Sequence, residues 1–192
     1  MKTKLYLFEI VVIASMMFCG LLQAQQPVQS GIAWMSFEEA LQENALRAQA
    51  GLTPKKVYID VYTDWCGWCK RLDATSFANP EIIAYVNSMF LPVKLNAERT
   101  DTVRVNDQVF VNPGAGPGRR GTHQLAATLL NGQMSYPTCT FLDEQGKTIT
   151  VVPGYMDAAG LEVLLHFIAE DAYKAMSWEN YQTWFKSRAR VR

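Results

Sequence analysis

Two cysteines three positions apart, Cys66 and Cys69, are the residues of this sequence best suited to chemistry. A strand-like run, Val57–Tyr62, precedes them and a helical segment follows, so Cys66 is predicted at the start of a helix. There, backbone amides and the helix dipole favour thiolate over thiol and can lower a cysteine pKa from ~8.5 to about 3.5–7.5. Cys69 falls one turn later on the same face, where it can resolve a mixed disulfide on Cys66. The spacing therefore predicts a redox-active dithiol with Cys66 as the nucleophile.

The same spacing has two other interpretations. Cys-x-x-Cys supplies half of many zinc sites, but no second pair exists, and Cys139, His123 and His166 are the remaining soft or imidazole ligands. A purely structural disulfide is the other alternative, although so short a loop gains little chain entropy from cross-linking. Cys139 is predicted to be a buried core thiol, and both histidines to be structural or surface residues. Redox exchange is the favoured interpretation.

Alternating strands and helices must position this pair. Ser36 and Glu39 match a capping box at the start of a helix, and Asn79 matches the cap of another. Apolar and β-branched runs predict the strands, and 3.6-residue periodicity predicts the helices. The predicted strands are 57–62, 90–95, 138–142 and 148–152, and the predicted helices are 36–50, 67–72, 79–87, 122–130, 157–173 and one from 177. Together they predict an α/β fold with one mixed sheet and helices on both faces.

Residues 96–121 interrupt this alternation and are predicted to be an inserted loop, because Asn112–Gly121 is too rich in glycine and proline for regular structure. Gly116, Gly118 and Gly121 match the dinucleotide-binding pattern G-x-G-x-x-G. However, no strand leads into them and no acidic residue follows at the expected distance. A surface loop, whose two arginines could shape the choice of partner, is therefore the favoured interpretation.

Length and composition limit the function classes. The chain has 192 residues, 49% of them hydrophobic, which is enough for one compact domain and argues against a largely disordered chain. Lys and Arg together number 18, as do Asp and Glu, so the formal net charge is +0. Without a basic surplus to neutralise phosphates, nucleic-acid binding is not expected.

The amino terminus has the pattern of an export signal. Two lysines precede the apolar stretch Leu5–Leu22, and Ala24 supplies a small residue for cleavage. An uncleaved membrane anchor is the alternative, because the apolar stretch is nearly long enough to span. A lipoprotein signal at Cys19 is disfavoured by the bulky Phe18 before it. In each case the folded part is expected outside the cytoplasm, in the periplasm or an equivalent compartment.

The run from Val57 to Lys70 resembles the thioredoxin superfamily, in particular exported proteins related to the soluble thiol-reductase domain of DsbD. Asp60, six positions before Cys66, resembles the buried acid of thioredoxins, and Lys94 resembles its lysine partner. The resemblance covers most of residues 32–172 and implies the thioredoxin fold. It implies a thioredoxin-like domain over 25–174 with an insertion at about 96–133, after a signal peptide over 1–24 and before a helical extension over 175–192.

The resemblance also implies roles for residues around the cysteines. Tyr136-Pro137 matches the family's cis-proline turn, although most X-Pro bonds are trans. If cis, this turn would present the Tyr136 backbone to an extended substrate segment. Trp65, Gly67 and Trp68 would form the rest of the substrate-binding rim, although both tryptophans could equally pack against the insertion. Trp68 stands where thioredoxin itself usually has proline, so neither the redox potential nor the preferred direction of exchange can be transferred from thioredoxin.

Buried Asp60 can be stable only if it is protonated, paired or hydrated, and it could accept the proton that Cys69 must lose. The expected function is thiol-disulfide exchange with protein partners, in the reducing direction. The alternatives are an oxidase or isomerase and a binding or chaperone-like module without turnover. The expected redox group is the Cys66–Cys69 disulfide, without metal or organic cofactor. The expected partners are protein thiols and disulfides, with a membrane protein as candidate electron donor, and we expect a monomer.

Overall fold

A computed structural model of the protein describes residues 30–189, and the predicted leader, with Cys19 and the cleavage site, lies outside them. Between residues 30 and 189, no helix has both the length and the apolar character needed to cross a membrane. The strands are β1 Lys56–Tyr62, β2 Phe90–Asn96, β3 Val103–Val105, β4 Gln108–Phe110, β5 Thr138–Leu142 and β6 Thr148–Pro153. The helices are α1 Phe37–Gln49, α2 Gly67–Ala74, α3 Pro80–Met89, α4 Gln124–Leu129, α5 Ala158–Ala169 and α6 Trp178–Ala189.

One mixed sheet of four strands, in the order β2-β1-β5-β6, organises the molecule. β1 runs parallel to β2 and antiparallel to β5, and β5 runs antiparallel to β6. β1 is buried over nearly its whole length, as its β-branched and aromatic residues require. Asp60 in β1 pairs with Lys94 on one side and with Cys139 on the other. The register therefore brings these three residues together in the middle of the sheet.

Helices cover both faces of this sheet, as predicted. On one face, Tyr58 and Phe141 pack with apolar residues of α2, α3 and α5. On the other face, Val57 and Ile59 pack against α1 and α4. The alternation along β1 sends successive side chains to opposite faces, which is why one strand serves both clusters. The predicted caps are present too: Ser36 and Glu39 form the capping box of α1, and the Asn79 side chain caps α3.

The insertion has more regular structure than the sequence predicts. β3 and β4 form a two-stranded antiparallel hairpin within the segment that we expected to be an irregular loop. Valines and Phe110 supply its strand-forming residues, and Asn106, at φ 51°, lies in its two-residue turn. The sequence predicts one irregular loop over the whole insertion because the residues after this hairpin are rich in glycine and proline, and the short apolar alternation before them is the weaker signal. α4 is also shorter than the predicted helix over 122–130: it begins at Gln124 and ends at Leu129.

The glycine-rich part of the insertion is closed at its base by Asn112. Its side-chain Nδ2 donates to the backbone oxygens of Arg99, at 3.0 Å, and Gly121, at 2.8 Å. Its Oδ1 accepts from the Gly114 amide at 3.2 Å. Gly114 and Gly121 approach so closely that a Cβ on Gly121 would lie 2.5 Å from the Gly114 backbone. One amide side chain and two glycines therefore hold the two ends of this loop together.

The closing helix ends earlier than predicted. We expected it to continue to Tyr173, but α5 stops at Ala169 and a short 3₁₀ turn, Ala172–Lys174, follows. Asp171 adopts a left-handed conformation with φ 58°, which ends the helix, and its carboxylate pairs with Lys56 at 3.1 Å and Lys174 at 3.0 Å. The reversal at Asp171 turns the chain so that α6 packs against α5, where Tyr181 is buried.

Candidate active site

Cys66 and Cys69 lie where β1 ends and α2 begins, and they are joined by a disulfide bond. Cys66 is the cap residue of α2, and its Sγ accepts the backbone N–H of Cys69 at 3.0 Å. Cys66 retains 5% of its surface exposed and Cys69 retains 2%. The cysteine pair therefore occupies the predicted position at the start of a helix, with Cys66 the more exposed of the two.

Aromatic side chains surround this pair on the protein surface. Trp65 and Trp68 are both more than half exposed, and at Gly67 a Cβ would have no neighbour within 4 Å. The Trp65 indole donates to Oε1 of Glu98, at 2.9 Å, and its ring lies 6.0 Å from that of Tyr136 in an edge-to-face arrangement. Trp65 is therefore exposed at the rim and also contacts the insertion through Glu98, so both predicted alternatives hold in part.

The Trp68 side of the rim includes a residue that the sequence analysis did not name. The rings of Trp68 and Tyr155 lie 5.5 Å apart, and the guanidinium of Arg71 lies over both. Tyr155 follows Gly154, whose amide donates to the Pro137 carbonyl at 2.8 Å. This hydrogen bond ties the residues after β6 to the proline turn, and Tyr155 lies against Trp68, the residue before Cys69.

The Tyr136-Pro137 peptide bond is cis, as the resemblance implies. Thr138, the first residue of β5, donates its hydroxyl to the Ser135 carbonyl at 2.7 Å. Tyr136 is half-buried and contacts Trp65, so the turn lies next to the cysteine pair. The structure thus brings Trp65, Gly67, Trp68, Tyr136 and Pro137 together, while their binding of substrate stays a prediction.

Asp60 is fully buried beneath this surface, and its Oδ2 pairs with Lys94 Nζ at 2.6 Å. Its Oδ1 has no hydrogen-bond partner within the described part of the chain. Burial raises the pKa of Asp60 to about 6, because Lys94 offsets the cost of the buried charge only in part and the negative charge of Asp73 adds to it. A carboxyl group in this position can gain or lose a proton near neutral pH.

Lys94 links this buried acid to the surface. Its ammonium also contacts the carboxylate of Asp73, a half-exposed residue of α2. Burial alone would lower the pKa of Lys94, but the two carboxylates outweigh this effect and raise it. The rings of Trp34, Tyr62 and Phe77 each lie 5.1 Å from Nζ, a distance at which aromatic faces stabilise a cation. Lys94 is therefore held as a cation between the two acids.

Asp73 was not among the predicted site residues, although the sequence contains a signal for it. Asp73 follows Cys69 by four positions, so both lie on the same face of α2. Nothing in the sequence alone shows that Lys94 reaches this face, because its distance from Asp73 depends on how α2 packs against β2. The arrangement of Asp60 and Asp73 around Lys94 therefore depends on the tertiary packing of α2 against the sheet.

The third cysteine of the described region has a different environment. Cys139 is 1% exposed, and its Sγ lies 3.2 Å from the Tyr58 hydroxyl. Burial raises the pKa of Cys139 to about 12, so it remains a thiol at neutral pH. The prediction of a buried core thiol is confirmed.

The two histidines lie outside this site. Buried His123 caps α4, where its Nδ1 accepts the Leu125 amide at 3.2 Å, and its Nε2 lies 3.1 Å from the Asp101 carbonyl oxygen. His166 in α5 pairs with Glu170 at 2.7 Å. In the described residues, no group of three or more His, Cys, Asp or Glu side chains is arranged to hold a metal ion.

Comparison with known proteins agrees with this arrangement. Residues 43–169 match the family model of the thioredoxin-like domain. The chain belongs to this family. It is 27% identical over 144 residues to the thiol:disulfide interchange protein DsbD of Cronobacter sakazakii, and 28% identical over 139 residues to that of Vibrio vulnificus. These matches cover 73% and 71% of this chain but only 21% and 19% of the DsbD chains, so it spans about a fifth of these relatives.

A solved thioredoxin-fold protein from Helicobacter pylori has the same fold. Its TM-score is 0.53 at 18% identity, over 72% of this chain and 86% of that one. The predictions of a thioredoxin fold and of kinship with DsbD are therefore confirmed. The thioredoxin-like domain of this chain carries the Cys66–Cys69 disulfide that the sequence predicts.

Proposed function

We propose that this protein is an exported thiol-disulfide oxidoreductase that reduces disulfide bonds of partner proteins through Cys66 and Cys69. The observation that carries the proposal is the Cys66–Cys69 disulfide at the first turn of α2, whose more exposed sulfur lies within an aromatic rim. The kinship with DsbD, a thiol:disulfide interchange protein, supports disulfide exchange. The resemblance of the run from Val57 to Lys70 to the thiol-reductase domain of DsbD favours the reducing direction, and a membrane protein is the proposed electron donor.

The first step uses the reduced protein. The Cys66 thiolate, stabilised by the amide groups at the start of α2, attacks one sulfur of a partner disulfide. The partner S–S bond breaks, its second sulfur leaves as a thiolate that takes up a proton, and Cys66 becomes joined to the partner in a mixed disulfide. The Tyr136 backbone and the exposed rings of Trp65 and Trp68 supply the surface on which the partner segment lies.

The second step releases the partner. Cys69 loses its proton to the Asp60 carboxylate, which is mostly ionised at neutral pH because its pKa is about 6. The Cys69 thiolate then attacks Cys66 and the mixed disulfide breaks. The second sulfur of the partner leaves as a thiolate that takes up a proton, and Asp60 gives up the proton that it accepted. Two electrons have moved to the partner, and the Cys66–Cys69 disulfide has formed. A dithiol donor must reduce it before the next cycle.

Reduction of insulin in the presence of dithiothreitol tests this function. The wild-type protein should accelerate it, and Cys66→Ser should not. The redox potential decides the direction: a value near about −270 mV supports a reductant, whereas one near about −120 mV would assign the protein to the oxidants. Cys69→Ala should accumulate mixed disulfides with partner proteins, because the resolving thiol is missing.

A binding or chaperone-like role is the second candidate, and the exposed Trp65 and Trp68 favour it. If Cys66→Ser binds unfolded partners and supports their maturation as well as the wild-type protein does, this role replaces catalysis. Export is proposed from the leader-like residues 1–24, and cell fractionation of the full chain tests it. Sedimentation of the purified protein tests the proposed monomer.

A further inference from the structure

An apolar groove lies between β6, α5 and the C-terminal extension, and we call it the β6 groove. It has a volume of about 760 Å³, within the range that binds drug-sized ligands. Residues that line it include Ile149, Val152, Tyr155, Phe167, Met176 and Trp178. None of the described residues along this groove carries a charge, and Met176 is 38% exposed at its mouth. Such a lining suits an uncharged, apolar occupant.

The groove is continuous with the rim of the disulfide. Tyr155 belongs to both, because it lines the groove and its ring also contacts Trp68, the residue before Cys69. The direction of β6 also connects the groove to the active site, because Pro153, at the end of β6, pairs with Thr138 next to the proline turn. β6 therefore leads away from the active site along the groove, from Val152 back to Ile149, over about 10 Å.

β6 is also an edge strand of the four-stranded sheet. The backbone groups on its outer side have no strand partner in residues 30–189 and can pair with an added strand. A bulge in β6 opposite Phe141 and Leu142 brings Ile149 and Val152 to the same face, and apolar side chains of such a strand would pack against both, under the cover of the C-terminal extension.

We propose that the β6 groove binds an apolar segment of the partner polypeptide that flanks the cysteine being reduced. This inference rests on the proposed function, since the partner is the protein whose disulfide Cys66 attacks. The groove would thus give the enzyme a preference for disulfides within apolar, extended sequence. Such disulfides are exposed in unfolded or partly folded chains rather than on finished protein surfaces.

Two synthetic peptides test the preference. Each carries one cysteine as a mixed disulfide with thionitrobenzoate and two lysines at each end. One has four alternating leucines and valines on both sides of the cysteine, and the other has glycine and serine. The reduced wild-type protein should release thionitrobenzoate from the apolar peptide about tenfold faster, since one buried leucine contributes about that factor. Equal rates would overturn the inference.

Two exposed methionines provide the matched variants. Met176→Lys puts a charge in the groove and should remove most of the preference, while leaving the rate on the glycine-serine peptide unchanged. Met89→Lys changes a methionine that is 40% exposed at the end of α3 and should keep the preference. If both variants lose it equally, or if Met176→Lys slows both peptides alike, the groove is not the cause and the inference is wrong.

A cysteine-free, fluorescein-labelled apolar peptide separates the two proposals. Binding that weakens in Met176→Lys supports the groove even if no exchange occurs, in which case only the proposed function fails. Absence of binding overturns the groove even if the glycine-serine peptide is reduced. A photoreactive residue, Met176→p-benzoylphenylalanine in the full chain, identifies the occupant by mass spectrometry. Capture of the peptide supports the inference, whereas capture of a second copy or of residues 1–29 overturns it.

Discussion

Cys66 and Cys139 are the same residue type, one at the start of α2 and the other inside the sheet, and their environments give them opposite chemistry. Cys66 lies just beyond the end of β1, where an amide donates to its sulfur and the rim is open to solvent. Cys139 lies inside β5, opposite Asp60, and burial raises its pKa to about 12. Reactivity therefore comes from position at a helix start, because the Cys139 thiol, on the strand next to β1 and directly opposite Asp60, stays inert.

The largest expected effect is the loss of exchange in Cys66→Ser, because the attacking sulfur is gone. Insulin reduction should fall to the background of the assay. Cys139→Ala should keep the rate within about twofold while costing on the order of 1 kcal/mol of stability for one buried sulfur. A comparable loss of activity in Cys139→Ala would contradict the contrast between the two cysteines.

Asp60→Asn should slow exchange about tenfold to a hundredfold at neutral pH if Asp60 accepts the Cys69 proton, as proposed. The pKa of Asp60 rises from 3.8 to about 6 on folding, so its charged form opposes folding. The stability of the wild-type protein should therefore fall as pH rises from about 4 to above 6, by at most about 3 kcal/mol.

Urea unfolding at several pH values measures this effect of Asp60. Asp60→Asn should be more stable than the wild-type protein at pH 7 and should lack its decline between pH 4 and 6. The same decline in both proteins would show that another group causes it.

Asp73→Asn should have a smaller effect on the same acid. Removing the Asp73 charge lowers the pKa of Asp60, because that charge raises it and because Lys94 then pairs with Asp60 alone. The lower limb of the pH-rate profile should shift to lower pH, with a change in the neutral rate of about two- to threefold. Glu179→Gln, which removes a surface carboxylate from α6, should leave the profile unchanged.

Tyr58→Phe should have the smallest effect on exchange. It removes the hydroxyl that contacts Cys139, at a cost of about 1 kcal/mol in unfolding free energy. The redox potential of the Cys66–Cys69 pair should stay unchanged. A shifted potential would mean that the environment of Cys139 is coupled to the active site, contrary to the separation of the two cysteines.

Local signals predicted much of the fold. The capping box at Ser36 and the cap at Asn79 each depend on a few adjacent residues, and both are present. The closing helix was predicted too long because its apolar periodicity continues past Ala169, whereas the left-handed turn at Asp171 involves an ion pair with Lys56, far away in the sequence. Local pattern cannot report such a distant partner.

For the candidate site, too, the sequence identified the residues with a local signal or a family resemblance and missed those that depend on packing. Cys66, Cys69 and Asp60 follow from spacing along one strand and one helix turn, and resemblance to a family supplied Lys94 and Pro137. Asp73 and Tyr155 were missed because they join the site through packing: one meets Lys94 across from α2, and the other reaches Trp68 from the end of β6. The sequence does not encode these contacts in any local spacing.

The clamp at Asn112 has a consequence for how this molecule can change. Because one side chain already fixes both ends of the glycine-rich loop, the residues between Gly114 and Gly121 do not have to hold the sheet in place. Doubling the length of such a loop costs only about 0.6 kcal/mol in closure entropy. We therefore expect sequences of other lengths and charges to be accepted between Gly114 and Gly121 without a change in the sheet that carries the redox centre.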